Sequence, residues 1–146
     1  MLVEVGSYCG RSTVVLAATG LDVVAVDPLE PGTAPSGAWE VTAGHVADFE
    51  GLVRRTPNVT WVRAPATACP RPAKPVGLLA IDGDHNYPHP LDDYRHFEPW
   101  LAPGALVAFH DYRVCAGVTR TVSELLDDKR IEEVRRHERL FVARKP

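Results

Sequence analysis

The chain has 146 residues, 45% of them apolar and 24% charged, with a formal net charge of −3. This suits one globular domain, residues 1–146, large enough to bury a core. It argues against nucleic acid as the main partner, which needs a concentrated basic face, and no apolar run approaches the roughly 20 residues of a membrane span. No basic-then-apolar leader opens the sequence. Cys9, Cys69 and Cys115 lie far apart with no CxxC pair, so reduced thiols in a cytoplasmic protein are expected. The one basic cluster, Arg135, Arg136, His137 and Arg139, is interleaved with Glu132, Glu133 and Glu138 and reads as a solvated face.

Taken in order, "LVEVG" (2–6) predicts a strand, and "RSTVVLAATG" (11–20) a short helix closed by Gly20. "DVVAVDP" (22–28) is a β-branched strand stopped by Pro28. Residues 29–44, rich in Pro, Gly, Ser and Thr, read as a loop. "HVADFEGLVRRT" (45–56) puts Val46, Phe49, Leu52 and Val53 on one helical face. "VTWVRA" (59–64) is a third strand, and the prolines of 65–75 argue against a helix there. "VGLLAIDG" (76–83) is a fourth strand. "HPLDDYRHFEPWL" (89–101) predicts a helix with Leu91, Tyr94 and Phe97 inward. After the turn "APGA", "GALVAFHDY" (104–112) is a fifth strand. "GVTRTVSELLDD" (117–128) is an amphipathic helix, and "IEEVRRH" with "RLFVAR" forms a closing hairpin.

Strands alternating with helices predict an α/β domain: a Rossmann-like, doubly wound, mostly parallel sheet with helices on both faces. Ligands in such sheets bind at the carboxyl ends of the strands, so the residues just after each strand are the candidates. Gly6 and Gly10 bracket a tight turn into the first helix, where glycine lets backbone approach a ligand. Asp27, at the end of the second strand, can accept hydrogen bonds from a ribose diol, or simply cap the strand beside Pro28. The fourth strand ends in Asp82, Asp84 and His85, the fifth in His110 and Asp111. If these ends adjoin, like charges repel unless a cation sits between them. A divalent ion on Asp82 and Asp111, with His110 or Asp84, is one resolution; local hydrogen bonding and helix capping is the other. His85 is placed to accept a substrate proton. His45, His89 and His96 read as structural.

The segments "VEVGSYCGRST", "VVAVDP" and "LLAIDGDHNYPHPLDDYRHFEPWLAPGALVAFHDY" resemble the class I S-adenosylmethionine-dependent methyltransferases, over residues 2 to about 128. The likeness is greatest to the methyltransferase family 24 branch of small-molecule O-methyltransferases and cephalosporin-hydroxylase relatives. D-G-D-H-x-Y with the later F-H-D-Y is its most specific part. The resemblance implies a seven-stranded sheet with an antiparallel last strand. It also implies S-adenosylmethionine as cofactor, with Glu4, Gly6, Ser7, Tyr8 and Gly10 around its amino-acid part, Asp27 on its ribose and Asp82 also in the cofactor-binding set. Asp82, and the pair that is here His110 and Asp111, would hold a divalent metal, with Asp82 and His85 catalytic. A nitrogen in place of one hard oxygen ligand moves the preference from Mg²⁺ toward Mn²⁺, Fe²⁺ or Zn²⁺. Relatives carry a covering segment before the first strand, so a domain without an N-terminal lid is expected.

The implied reaction is methylation of a small-molecule hydroxyl in natural-product biosynthesis, with His85 as general base and Tyr8 or Tyr87 facing the sulfonium. The alternative is a catalytically inactive cofactor-binding or partner protein of the same fold; homo-oligomerisation stays open. A nicotinamide oxidoreductase lacks the G-x-G-x-x-G spacing, and an acyl hydrolase lacks the G-x-S-x-G elbow.

Overall fold

The computed structural model describes residues 1–34 and 40–146. Seven strands form one sheet in the order β3-β2-β1-β4-β5-β7-β6. They are β1 (Leu2–Val5), β2 (Val23–Val26), β3 (Val59–Val62), β4 (Val76–Ile81), β5 (Leu101–Phe109), β6 (Glu132–His137) and β7 (Leu140–Arg144). Strands β1 to β5 pair in parallel, whereas β7 runs antiparallel to both β5 and β6. The expected α/β, mostly parallel architecture with a reversed last strand is what forms. The chain reverses between β1 and β4, on either side of which the connections go to opposite edges, and this is where such sheets open a crevice.

Among the described residues four α-helices flank the sheet: α1 (Arg11–Ala17), α2 (Ala43–Arg55), α3 (His89–Phe97) and α4 (Ala116–Asp127). Val3 and Val5 point to the face where Leu91, Tyr94 and Phe97 of α3 and Val118, Val122 and Leu125 of α4 close the larger core. Leu2, Val23, Ala25 and Val59 point to the other face, against Ala17 of α1 and Val46 and Phe49 of α2. Alternation along each strand thus feeds two cores, as a doubly covered sheet requires. On that second face, Leu78 and Ala80 of β4 and Leu106 and Ala108 of β5 are only half-buried.

Most expected elements are trimmed by a few residues at their ends, and three boundaries differ for an identifiable physical reason. Helix α2 starts at Ala43, before His45, because Thr42 caps it: the Thr42 hydroxyl accepts from the His45 N–H while the His45 ring accepts from the Thr42 N–H. The expected helix 89–101 ends at Phe97, and a 3₁₀ turn, Glu98–Trp100, follows around Pro99. Strand β5 begins at Leu101 rather than 104, since Leu101 pairs with Val76, and the "APGA" turn is an irregularity inside the strand with Gly104 at φ 74°. A single 3₁₀ turn, Ala66–Ala68, is all the helix in the proline-rich segment. Of the expected loop 29–44, residues 35–39 lie outside the described residues. Among the described residues no helix is long and apolar enough to cross a membrane.

Candidate functional site

The carboxyl ends of β1, β2, β4 and β5 open into a cleft of about 1350 Å³. Gly6, Tyr8, Asp27, Asp82, His85, His110 and Asp111 all line it. Glu4, Ser7 and Gly10 do not appear in that lining. Glu4 is 1% exposed and its Oε2 accepts a 2.5 Å hydrogen bond from Thr13 of α1. Ser7 is 3% exposed. Its Oγ, like Oε1 of Glu4, has no hydrogen-bond partner among the described residues. Gly10 packs instead against Leu52 and Phe49 of α2.

The turn after β1 is pressed against β4. Gly6 has φ 84°, and a Cβ on it would lie 2.2 Å from the carbonyl oxygen of Asp82, so no other residue fits there. Asp27 holds the turn from the β2 side: its Oδ2 accepts from the Tyr8 N–H at 2.8 Å and its Oδ1 from the Leu29 N–H at 2.9 Å. Asp27 therefore does cap its strand, as the simpler sequence reading had it. Each of its oxygens still has a second lone pair, and the residue still faces the cleft. Tyr8 itself is left-handed at φ 42°, with its hydroxyl 3.3 Å from Nδ1 of His45.

On the other side of the cleft four side chains converge. Nε2 of His85 is 3.3 Å from Oδ1 of Asp82 and 3.6 Å from Oδ2 of Asp111. Nδ1 of His110 is 3.1 Å from Oδ1 of Asp82 and 3.4 Å from Oδ1 of Asp111. That nitrogen is buried and makes no hydrogen bond among the described residues, although two carboxylate oxygens face it. A nitrogen and two oxygens turned on one another in this way fit a cation between them. The ligand atoms of Asp82, His110 and Asp111 lie within 4.8 Å of one another. The hydrogen bond to Asp82 raises the pKa of His85, and burial works against it. Asp84 also lines the cleft, accepting from Asn86 and pairing with His89 at 2.9 Å.

Several members of this site were not visible in the sequence. Arg139, read as part of a solvated basic face, places its Nη1 3.0 Å from Oδ1 of Asp111. The hairpin is tied down there by the hydrogen bond from the Tyr112 N–H to the Arg139 carbonyl, at 2.9 Å. Cys115 lines the cleft, and its ligand atom lies within 4.8 Å of those of His85 and Asp111. Burial, with the Asp111 carboxylate beside it, pushes its thiol up. His89, read as structural, also lines the cleft. One face of Tyr87 already carries a cation, the Arg120 guanidinium 3.6 Å from the ring centre, which leaves that face no room for a sulfonium. His96 is structural as expected, its Nε2 2.8 Å from the Cys69 carbonyl.

Residues 3–112 match a family model described as a methyltransferase domain. No curated protein matches the chain. Among solved structures, the O-methyltransferase NovP is 17% identical, with a TM-score of 0.75 over 99% of this chain and 71% of its own. The calicheamicin methyltransferase CalS11 is 15% identical, with a TM-score of 0.77 over 98% of this chain and 71% of its own. The 1,6-didemethyltoxoflavin-N1-methyltransferase of Burkholderia thailandensis, with bound S-adenosylhomocysteine, is 17% identical. Its TM-score is 0.72, over 99% of this chain and 70% of its own. At these identities the likeness is one of fold.

Proposed function

The chain belongs to the methyltransferase domain family, and from that membership we propose that it transfers a methyl group from S-adenosylmethionine to a hydroxyl oxygen of a small molecule. The observation that carries this reading is the single cleft shared by two half-sites, Gly6, Tyr8 and Asp27 on one side and Asp82, His85, His110 and Asp111 on the other. The first half suits a nucleoside: the Gly6 turn brings bare backbone to the cleft and Asp27 offers acceptors for a ribose diol. The second half suits proton transfer. S-adenosylmethionine supplies an electrophilic methyl on a sulfonium; a carbon–oxygen bond forms as the carbon–sulfur bond breaks, and the electron pair stays on sulfur. The hydroxyl proton goes to the His85 imidazole, which Asp82 orients and makes more basic.

Asp82, His110 and Asp111 would hold a divalent ion, for which manganese suits the mixed nitrogen and oxygen donors better than magnesium. Such an ion would supply Lewis-acid polarisation of the acceptor hydroxyl. The acceptor would be a small molecule; one of the fold neighbours is a calicheamicin methyltransferase, which favours tailoring of a natural product.

Two measurements test the proposal. Calorimetric titration with S-adenosylmethionine should give saturable binding, and a folded sample without a response overturns the reading. Release of S-adenosylhomocysteine with a panel of phenolic and sugar hydroxyl acceptors should then fall by about 10²–10⁴-fold in His85→Ala, with the affinity for S-adenosylmethionine retained. Loss of binding instead would reassign His85 to the cofactor.

A further inference from the structure

Asp111 belongs to two ligand sets at once. Asp82 and His110 make the first with it; His85 and Cys115 make the second. Its two oxygens divide between them, with Oδ1 facing His110 and Arg139 and Oδ2 facing His85. The second set, one imidazole, one carboxylate and one thiol, has a different chemical character from the first. Thiolate and imidazole donors select zinc-like ions, whereas carboxylate-rich sets suit manganese and magnesium.

The second set is built on fixed backbone. Asp111 is left-handed at φ 55°, and its carbonyl accepts from both the Val114 N–H at 3.1 Å and the Cys115 N–H at 2.9 Å. The closed turn keeps residues 111 and 115 together. Thr119 locks it from α4, accepting from the Arg113 N–H and donating to the Cys115 carbonyl. Cys115 is the N-cap residue of the twelve-residue α4, and its side chain makes no capping hydrogen bond that a metal would have to break. His85 is held against the same helix, because Gly117 packs directly on its carbonyl. Donors of a tetrahedral zinc site are about 3.3–3.8 Å apart, from bond lengths of about 2.0–2.3 Å. Those of His85, Asp111 and Cys115 are already within 4.8 Å of one another, so side-chain movements of about 1–1.5 Å at most close the set.

We propose that His85, Asp111 and Cys115 form a site for a thiophilic divalent ion of the zinc class, and that an ion bound there removes His85 from proton transfer. Binding forms a metal–sulfur bond and releases the thiol proton to solvent, with no change of oxidation state. Zinc then inhibits the same cleft that an oxygen-preferring ion assists. The inhibitory part rests on the proposed methyl transfer with His85 as base; the site itself does not.

Cobalt(II) is the probe. Added to metal-stripped protein, it should give a thiolate-to-cobalt charge-transfer band in the near ultraviolet. Zinc should abolish that band, which should be missing in Cys115→Ser and kept in Cys9→Ser. Zinc affinity, from competition with a chromophoric chelator, should weaken at least tenfold in Cys115→Ser, and the zinc concentration that halves methyl transfer should rise at least tenfold. Absence of the band, its persistence in Cys115→Ser, or equal zinc inhibition of the two proteins overturns the proposal. S-adenosylmethionine titrated in parallel separates the two readings. A cobalt–thiolate band without cofactor binding keeps the ion site and removes the methyltransferase reading. Cofactor binding and turnover without the band do the reverse.

Discussion

Gly117 of α4 lies directly against His85: a Cβ placed on it would sit 2.2 Å from the His85 carbonyl oxygen and 2.5 Å from the Tyr87 nitrogen. The first turn of one helix thereby sets the height of the loop that carries the proposed base. Alanine at this position would gain up to about 1 kcal/mol of helix propensity. Against that stand clashes with backbone atoms, which cannot rotate away as a side chain could. The clash should win, with Gly117→Ala costing about 1–3 kcal/mol in overpacking. The displaced His85 loop should also cut S-adenosylhomocysteine release at least tenfold while S-adenosylmethionine binding changes little. Thermal unfolding, calorimetry and turnover measured together would show this, and a variant with unchanged turnover would mean that the loop does not depend on α4.

The reach of the sequence follows from what each feature depends on. Strand ends were legible because apolar runs such as 78–81 stop abruptly at Asp82, and burial of a parallel strand drives charge toward its mouth, with Glu4 inside β1 the exception. The start of β5 was not, since Pro103 and Gly104 have the chemistry of a turn whether the strand ends there or only bulges. Arg139 was illegible for a topological reason. It meets Asp111 across 28 positions, and only because β7 inserts between β5 and β6 does the hairpin turn reach the site. Cys115 carries no metal-spacing signature; its place is fixed by the left-handed turn at Asp111. Thr42 and His45 were readable in principle, as a capping pair three residues apart.

Asp93 predicts a pH dependence of stability. This α3 carboxyl is 9% exposed, beneath Gly83 in the loop of the proposed base, and burial pushes its pKa up to about 7. The native state therefore holds a proton that the unfolded chain, with an ordinary aspartate, releases from about pH 4. Native protein binds more protons across that window, so this group's contribution is complete below about pH 4 and is lost as pH rises through about 7. Its size is on the order of 4 kcal/mol, from about three pKa units. Asp93→Asn cannot ionise and removes the slope. Between pH 5 and pH 8 the melting temperature of the variant should gain on that of the parent, and should exceed it at pH 8. Parallel curves for the two proteins would contradict this assignment.

Arg139 competes with any metal for Asp111. Its guanidinium is 3.0 Å from Oδ1 of Asp111, and its side chain is 56% exposed. Losing an exposed pair of this kind changes stability by at most about 1 kcal/mol, so Arg139→Ala should fold and melt much like the parent. Its effect on the site should be larger than on the fold. With the guanidinium gone, the two carboxylates still face His85, His110 and Cys115, and a divalent ion no longer meets the fixed positive charge of Arg139 a few ångströms away. Repulsion between a divalent ion and a unit charge about 4 Å away is worth about 2 kcal/mol even in bulk water; salt screening and the mobility of this exposed side chain leave on the order of 1 kcal/mol, roughly fivefold in affinity. Manganese binding, followed by the loss of the free-ion paramagnetic resonance signal, should therefore tighten several-fold in Arg139→Ala, with S-adenosylmethionine affinity unchanged. Equal manganese affinity in the two proteins would show that the ion binds away from Asp111. No manganese binding by either would mean that no divalent ion enters the carboxylate pair even when Arg139 is gone, and would remove the metal from the proposed mechanism.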